Sequence, residues 1–298
     1  MGEYLSRTLS AAVSLNTVRE IKEIMKGKYT FETFAKETDL GKFICYAAPH
    51  LPNEIVTEIL QLTTKFKITE DQVEDNASHN RNLLISSSDE EESSNEEKSS
   101  EMVFVPGEFI ENQKEWGDVK FGTETMAYSG CEIISVYNAQ LALGNQMTTD
   151  DMVKLISQFE RSGALFKGKL GTSWIAIADY FEEAGYDVVR TYSRDSEIIN
   201  SIGENSDTII VTAFNDKDDA SSMIHTICVT KDEDGYYTLH NVGKSNKEGK
   251  YVSFSGKEEG GQIEYIKTLE EAISYISKGN AVPVQVIGIS KSVSKQGK

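Results

Sequence analysis

The chemistry in this chain concentrates around Cys131. It stands in Tyr128-Ser129-Gly130-Cys131-Glu132-Ile133-Ile134, directly after a glycine and at the start of an apolar-faced run. If that run is a helix, the free N–H groups of its first turn and the positive end of its dipole favour a thiolate over a thiol. A thiol nucleophile also needs a base, and a histidine held by a third polar group supplies one. His225 and His240 are the histidines that follow the cysteine. His225 opens one strand-like run, Asn241 closes the next, and Asp234-Gly235 between them marks a hairpin. Antiparallel pairing across that turn brings the two ends together and sets an amide oxygen beside an imidazole. His240 points to the face opposite Asn241.

The elements that must position these groups follow from periodicity. Cys131 to Leu143 reads as a helix with Ile134, Tyr137, Leu141 and Ala142 on one side. Thr148 to Arg161 opens with Thr148 and Asp151 as a variant capping box and ends at Gly163, and Thr172 to Ala184 is a third helix stopped by Gly185. Strands are expected at Asp187–Tyr192, Thr208–Phe214, Ile224–Thr230, Tyr236–Asn241, Tyr251–Phe254 and Val282–Ile289, with a short helix at Leu269–Ser277. Helices first and a largely antiparallel sheet second predict an α+β domain over residues 102–298. Gly260-Gly261 reads as a turn.

Ahead of this domain, residues 86–101 hold seven serines, seven carboxylates and one lysine. Such a segment buries too little apolar surface to offset its ordering entropy and reads as a disordered linker. Glu70 to Arg81 is polar without periodicity, so the linker is allowed to begin there. Residues 1–85 read as a helical accessory region, with helices at Thr17–Met25 and Pro52–Phe66.

Composition narrows the function classes. Against 48 Asp plus Glu the chain sets 30 Lys plus Arg, for a net charge of −18 over 298 residues. That balance repels phosphate backbones and anionic lipid, so nucleic-acid partners are excluded. No apolar run approaches a bilayer's thickness and the first residues lack a basic, then apolar, leader, so membrane insertion is excluded and a cytoplasmic address is expected. Cys45, Cys131 and Cys228 are widely spaced without CxxC pairing, which argues against disulfides or a zinc ribbon, and no HxxxH spacing supports a metal. Cys45 and Cys228 read as packing, His50 and His79 as solvated or capping. Trp174 reads as a core anchor, and Trp116, on irregular chain before the cysteine, as a residue lining a substrate groove.

Four stretches together are similar to the papain-like cysteine peptidases, and more narrowly to their bacterial C39-like branch. They are Ser129-Gly130-Cys131-Glu132-Ile133-Ile134-Ser135-Val136-Tyr137-Asn138-Ala139, Gly171-Thr172-Ser173-Trp174, Ile224-His225 and Leu239-His240-Asn241-Val242. The resemblance covers about residues 120–245 and keeps the family order Cys, His, Asn. It implies a papain-like fold, with N-terminal helices packed on an antiparallel sheet, and a thiol hydrolase that cleaves a peptide or related amide through a thioester, without cofactor or metal. Cys131 would be the nucleophile, His225 the base and then acid, and Asn241 the residue orienting the imidazole.

Two positions depart from the family. Where it places an oxyanion glutamine six residues before the nucleophile, this chain has Thr125, whose hydroxyl would donate to the oxyanion, with the Cys131 N–H, at shorter reach. The usual Cys-Gly is Cys131-Glu132, and that carboxylate either turns inward, raising the thiol pKa, or caps the helix and faces water. The expected partner is a peptide or protein substrate, with intramolecular contact of residues 1–85 against the catalytic domain as a further possibility. A catalytically silent binding module and an acyltransferase using the same Cys-His pair are the alternatives.

Overall fold

The computed structural model describes residues 52–61, 64, 66–86, 104–216, 224–277 and 281–292. The expected helix at Thr17–Met25, Cys45, His50 and the linker beyond Ser86 lie outside them. The described chain is α+β. Its centre is a five-stranded sheet of β3 (Asp187–Thr191), β4 (Thr208–Phe214), β5 (Ile224–Lys231), β6 (Tyr237–His240) and β9 (Val282–Ser290), in the order β3-β9-β4-β5-β6. Every neighbouring pair is antiparallel. Two shorter hairpins complete the strands, β1 (Lys120–Phe121) with β2 (Glu124–Thr125), and β7 (Gly256–Glu259) with β8 (Gln262–Tyr265).

A central strand with both faces covered loses its alternation, and β4, Thr-Ile-Ile-Val-Thr-Ala-Phe, is buried throughout. Ile210 enters a core shared with the first helices, while Ile209, Val211 and Ala213 enter a second core on the other face. The first core is closed by α4 (Cys131–Ala142), α5 (Thr149–Ser162) and α6 (Trp174–Glu183). The second is closed by α7 (Ser196–Glu204) and α8 (Leu269–Ser274). Thr148 and Asp151 form the reciprocal capping box of α5, and Gly163 caps its end.

Several expectations are corrected. Tyr251–Phe254 is no strand, since Tyr251 and Phe254 make only isolated bridges to Ser245 and Leu239. Helix α7 adds to the expected elements, with Asp195 as its cap and Ile199 and Ile202 on its buried side. Glu70–Arg81 is not disordered: α2 (Glu70–Ser86) runs through it, after α1 (Asn53–Gln61). Its buried stripe is Val73, Asn76, Asn80 and Leu84, at helical spacing but with asparagines at the middle two positions, so no hydrophobic period shows. Those amides are satisfied. Asn76 Nδ2 donates to Gly122 O at 3.0 Å and to Glu160 Oε1 at 2.6 Å, and Asn80 exchanges bonds with both main-chain groups of Lys120. Arg161 pairs with Glu70 at the rim.

The N-terminal helices therefore contact the rest of the chain. Val56 of α1 and Val73 and Leu84 of α2 sit in the first core. Trp174 Nε1 donates to Thr57 Oγ1 at 3.1 Å, which places this tryptophan as an anchor for α1.

Candidate active site around Cys131

The short helix α3 (Met126–Ser129) ends at Gly130, and Cys131 begins α4 directly behind it. A side chain at Gly130 would strike Met126 O at 2.6 Å, so the tight join between the two helices needs glycine there. Cys131 is 7% exposed. Its Sγ lies against the backbone N–H of Thr226 on β5, which stabilises a negative sulfur, and donates to Glu132 Oε2 at 3.2 Å. Burial, and then the Glu132 charge, push the thiol well above its ordinary pKa.

Glu132 is only 4% exposed. The inward alternative is the one the fold adopts, and the water-facing cap is ruled out. Its carboxylate takes the backbone N–H of Thr172 and rests on Gly171, where a Cβ would come within 2.8 Å of Oε1. Burial raises its pKa to about 7.

His225 sits one residue before Thr226, so helix start and strand start meet here. No hydrogen bond joins Cys131 to His225. The His225 Nε2 lies 2.7 Å from the main-chain oxygen of Asn241. A carbonyl can only accept, so Nε2 carries the proton in the neutral ring and Nδ1 holds the lone pair. Burial lowers the imidazole pKa, which keeps that neutral form at pH 7. Nδ1 has no protein partner among the described residues and is the nitrogen free to accept a thiol proton.

Asn241 thus reaches His225, but through its backbone and not through its amide. The residue has φ +61°, a left-handed conformation that asparagine tolerates and that turns its carbonyl out of the strand path. Its side chain is engaged elsewhere: Oδ1 accepts from Gln113 N at 3.0 Å, and Nδ2 lies 3.4 Å from Gln113 Oε1. Asn241→Gly should therefore keep the carbonyl and change Cys131 alkylation less than about 10-fold, whereas loss of an orienting amide would cost on the order of 100-fold. Asn241→Ala should melt lower than the glycine variant by an amount near 1 kcal/mol, because alanine is strained at that φ. Alkylation rates and thermal scans of the two variants check both points.

Residues missed in the sequence hold this corner. Glu111 Oε1 lies 2.7 Å from His240 Nδ1, and Glu111 Oε2 accepts from Asn241 N at 2.8 Å. His240 is stacked on Phe109 with ring centroids 4.0 Å apart, and its Nε2 meets Thr230 Oγ1, so it is a structural histidine. Gln113 bridges from Asn241 to Ala127 O at 3.0 Å, just ahead of Cys131. The segment bearing Glu111 and Gln113 is fastened to α4 by Asn138, which exchanges bonds with Ile110 N and O, and by Tyr137, which donates to Glu108 O. One helix thus carries the thiol and, through Asn138, steers the loop that holds Asn241 and so His225. The signal was present in Tyr137-Asn138, an asparagine on the buried side of an apolar helix.

Two candidates are placed differently from expectation. Trp116 is 3% exposed and packs edge-on to Phe104, since its large ring is needed in the core, so it lines no groove. Thr125 is the N-cap residue of α3, but its hydroxyl makes no cap hydrogen bond. The first-turn donor that meets the sulfur is the backbone N–H of Glu132. Cys228 is buried packing, its thiol raised to about 12 by burial. Among the described residues there is no cluster of three metal-ligating side chains and no helix long and apolar enough to cross a membrane. Comparison with family models, curated proteins and solved structures returns no match, so the functional reading stands on this geometry and on the sequence resemblance.

Proposed function

We propose that the chain is a papain-like cysteine hydrolase of the C39-like kind, acting on a peptide or related amide. The observation that supports it most is the meeting of Cys131, at a helix N-terminus, with the Thr226 N–H beside a histidine whose free nitrogen is Nδ1. The resting thiol is protonated, because burial and Glu132 oppose the thiolate. In the reaction the Sγ–H bond breaks toward His225 Nδ1 as sulfur attacks the carbonyl carbon, and the Asn241 carbonyl holds the imidazolium that forms. The carbonyl π pair moves to oxygen, where the Cys131 N–H meets it. Collapse expels the amine, which takes the proton back from His225, and leaves a thioester that water or another amine resolves.

One feature favours a second reading: Cys131 is hydrogen-bonded to Glu132 and not to His225. On that reading the shell is a silent binding module. The two are separated by iodoacetamide modification of Cys131, read by peptide mass spectrometry, in the native protein and in His225→Ala. The hydrolase reading expects His225→Ala to slow modification at pH 7 by roughly 10-fold or more. Equal rates with ordinary thiol pH dependence would leave the binding module.

A further inference from the structure

Cys131 and Glu132 form a buried acid pair that the papain-like reading does not use. The carboxylate is held in place from three sides. Sγ donates to Oε2 at 3.2 Å, the Thr172 N–H donates to the carboxylate, and Gly171 (φ +75°) leaves room where any Cβ would lie 2.8 Å from Oε1 and 3.0 Å from Oε2. Among the described residues no cation pairs with it. Lys169, on the segment leading into Gly171, pairs with Glu124 at 3.6 Å. Each member is the other's titratable neighbour, and on β5 the N–H that meets the sulfur belongs to Thr226, the residue after His225. An anion fixed against the nucleophile in this way has one geometric consequence: thiolate and carboxylate cannot both be charged at hydrogen-bonding distance in a buried site.

Resting on the reading of Cys131 as the nucleophile, we propose that Glu132 is a catalytic residue that controls the thiol. As a carboxylate it binds the Sγ proton and suppresses ionisation; as a carboxylic acid it donates a hydrogen bond to the thiolate. The proton balance is simple. Oε2 takes one proton from solvent. The Sγ–H bond then breaks toward His225 Nδ1, forming an N–H bond, and Oε2–H turns its hydrogen to the sulfur left negative. The C–S bond forms as the substrate carbonyl π pair moves to oxygen. The competent state therefore carries a neutral Glu132, and its raised pKa of about 7 makes that state accessible near neutral pH. The sign of the pH effect follows. An ordinary thiol reacts faster as pH rises, whereas here the rise through about 7 ionises Glu132 and counters the gain.

The test is the Cys131 iodoacetamide rate between about pH 5 and about pH 9 in the native chain, Glu132→Gln and His225→Ala, with Glu132→Asp as a further variant in case the glutamine protein folds poorly. Glutamine removes the charge and presents an N–H donor. At about pH 8 it is expected to react roughly 10-fold faster than native, with a rate that climbs steadily with pH, while the native profile flattens near neutrality. Aspartate, with a shorter reach, is expected to fall between the two. Equal native and Glu132→Gln profiles overturn the proposal, and so does a 10-fold slower Glu132→Gln, which would make the carboxylate the thiol's proton acceptor. The underlying hydrolase reading is tested separately by His225→Ala: if that variant matches native while Glu132→Gln is faster, the hydrolase fails and the hold of Glu132 on the thiol stands.

Discussion

Raising the pH from about 5 to about 8 is expected to remove the stability that two buried carboxyls contribute by keeping their protons beyond the pH at which an unfolded chain releases them, while His225, whose pKa burial lowers, contributes in the opposite direction. Glu132 and Glu160 are both raised by burial from 4.5 to about 7. Between those values the folded state binds more protons than the unfolded one, so stability is lost as pH climbs through that window. At about 1.4 kcal/mol per unit, each group accounts for a loss on the order of 3 kcal/mol. Glu160 allows the cause to be isolated without touching Cys131. Its Oε1 accepts from Asn76 Nδ2 and from Gly122 N, both at 2.6 Å, while the buried Oε2 has no partner. Glu160→Gln retains the accepting oxygen and puts a neutral amide where the unpaired oxygen stands. The variant should match native near pH 5 and exceed it by about 2 kcal/mol near pH 8. Urea titrations of both proteins at both pH values check this, and a Glu160→Gln variant with no gain over native near pH 8 would refute the account.

Gly122→Ala is expected to have the larger effect of any single methyl addition near the site. Gly122 has φ +59° in the turn between β1 and β2, and a Cβ there would overlap the carbonyl of Lys167 and lie 2.8 Å from its carbon. The neighbour is backbone, itself in a left-handed turn at Phe166 and Lys167, and cannot swing away. Left-handed strain and overlap together predict a loss of roughly 2 to 5 kcal/mol. The turn also accepts Asn76 and donates to Glu160, so the damage should reach α2 and the lead-in to Cys131. Denaturant midpoints should fall accordingly, and amide exchange in α2 should accelerate. A variant with native stability would show that the turn tolerates a side chain.

Much of the scaffold was legible because its elements are locally determined. Thr148, Asp151 and Gly163 mark the ends of α5 whatever surrounds them, and the strand runs of β3, β4, β5, β6 and β9 carry their own β-branched character. Helix α2 was illegible for a physical reason: the polarity of Asn76 and Asn80 is cancelled by bonds to Gly122, Glu160 and Lys120, residues distant in sequence. Trp116 was misplaced because an aromatic on irregular chain looks the same whether a core or a groove receives it, and only Phe104 and its neighbours decide.

At the site the same division holds. The sequence by itself determined that Cys131 starts a helix behind a glycine, and that a hairpin carries His225 toward Asn241. The tertiary structure alone decided that Asn241 meets the imidazole with its carbonyl, since the left-handed turn depends on Glu111 and Gln113 from another segment. It also decided that Glu132 faces the sulfur and not water, because a Thr172 N–H and the bare Gly171 receive its carboxylate. Side-chain type and spacing set which groups can react; the direction each one faces is set by partners far along the chain, where local pattern carries no information.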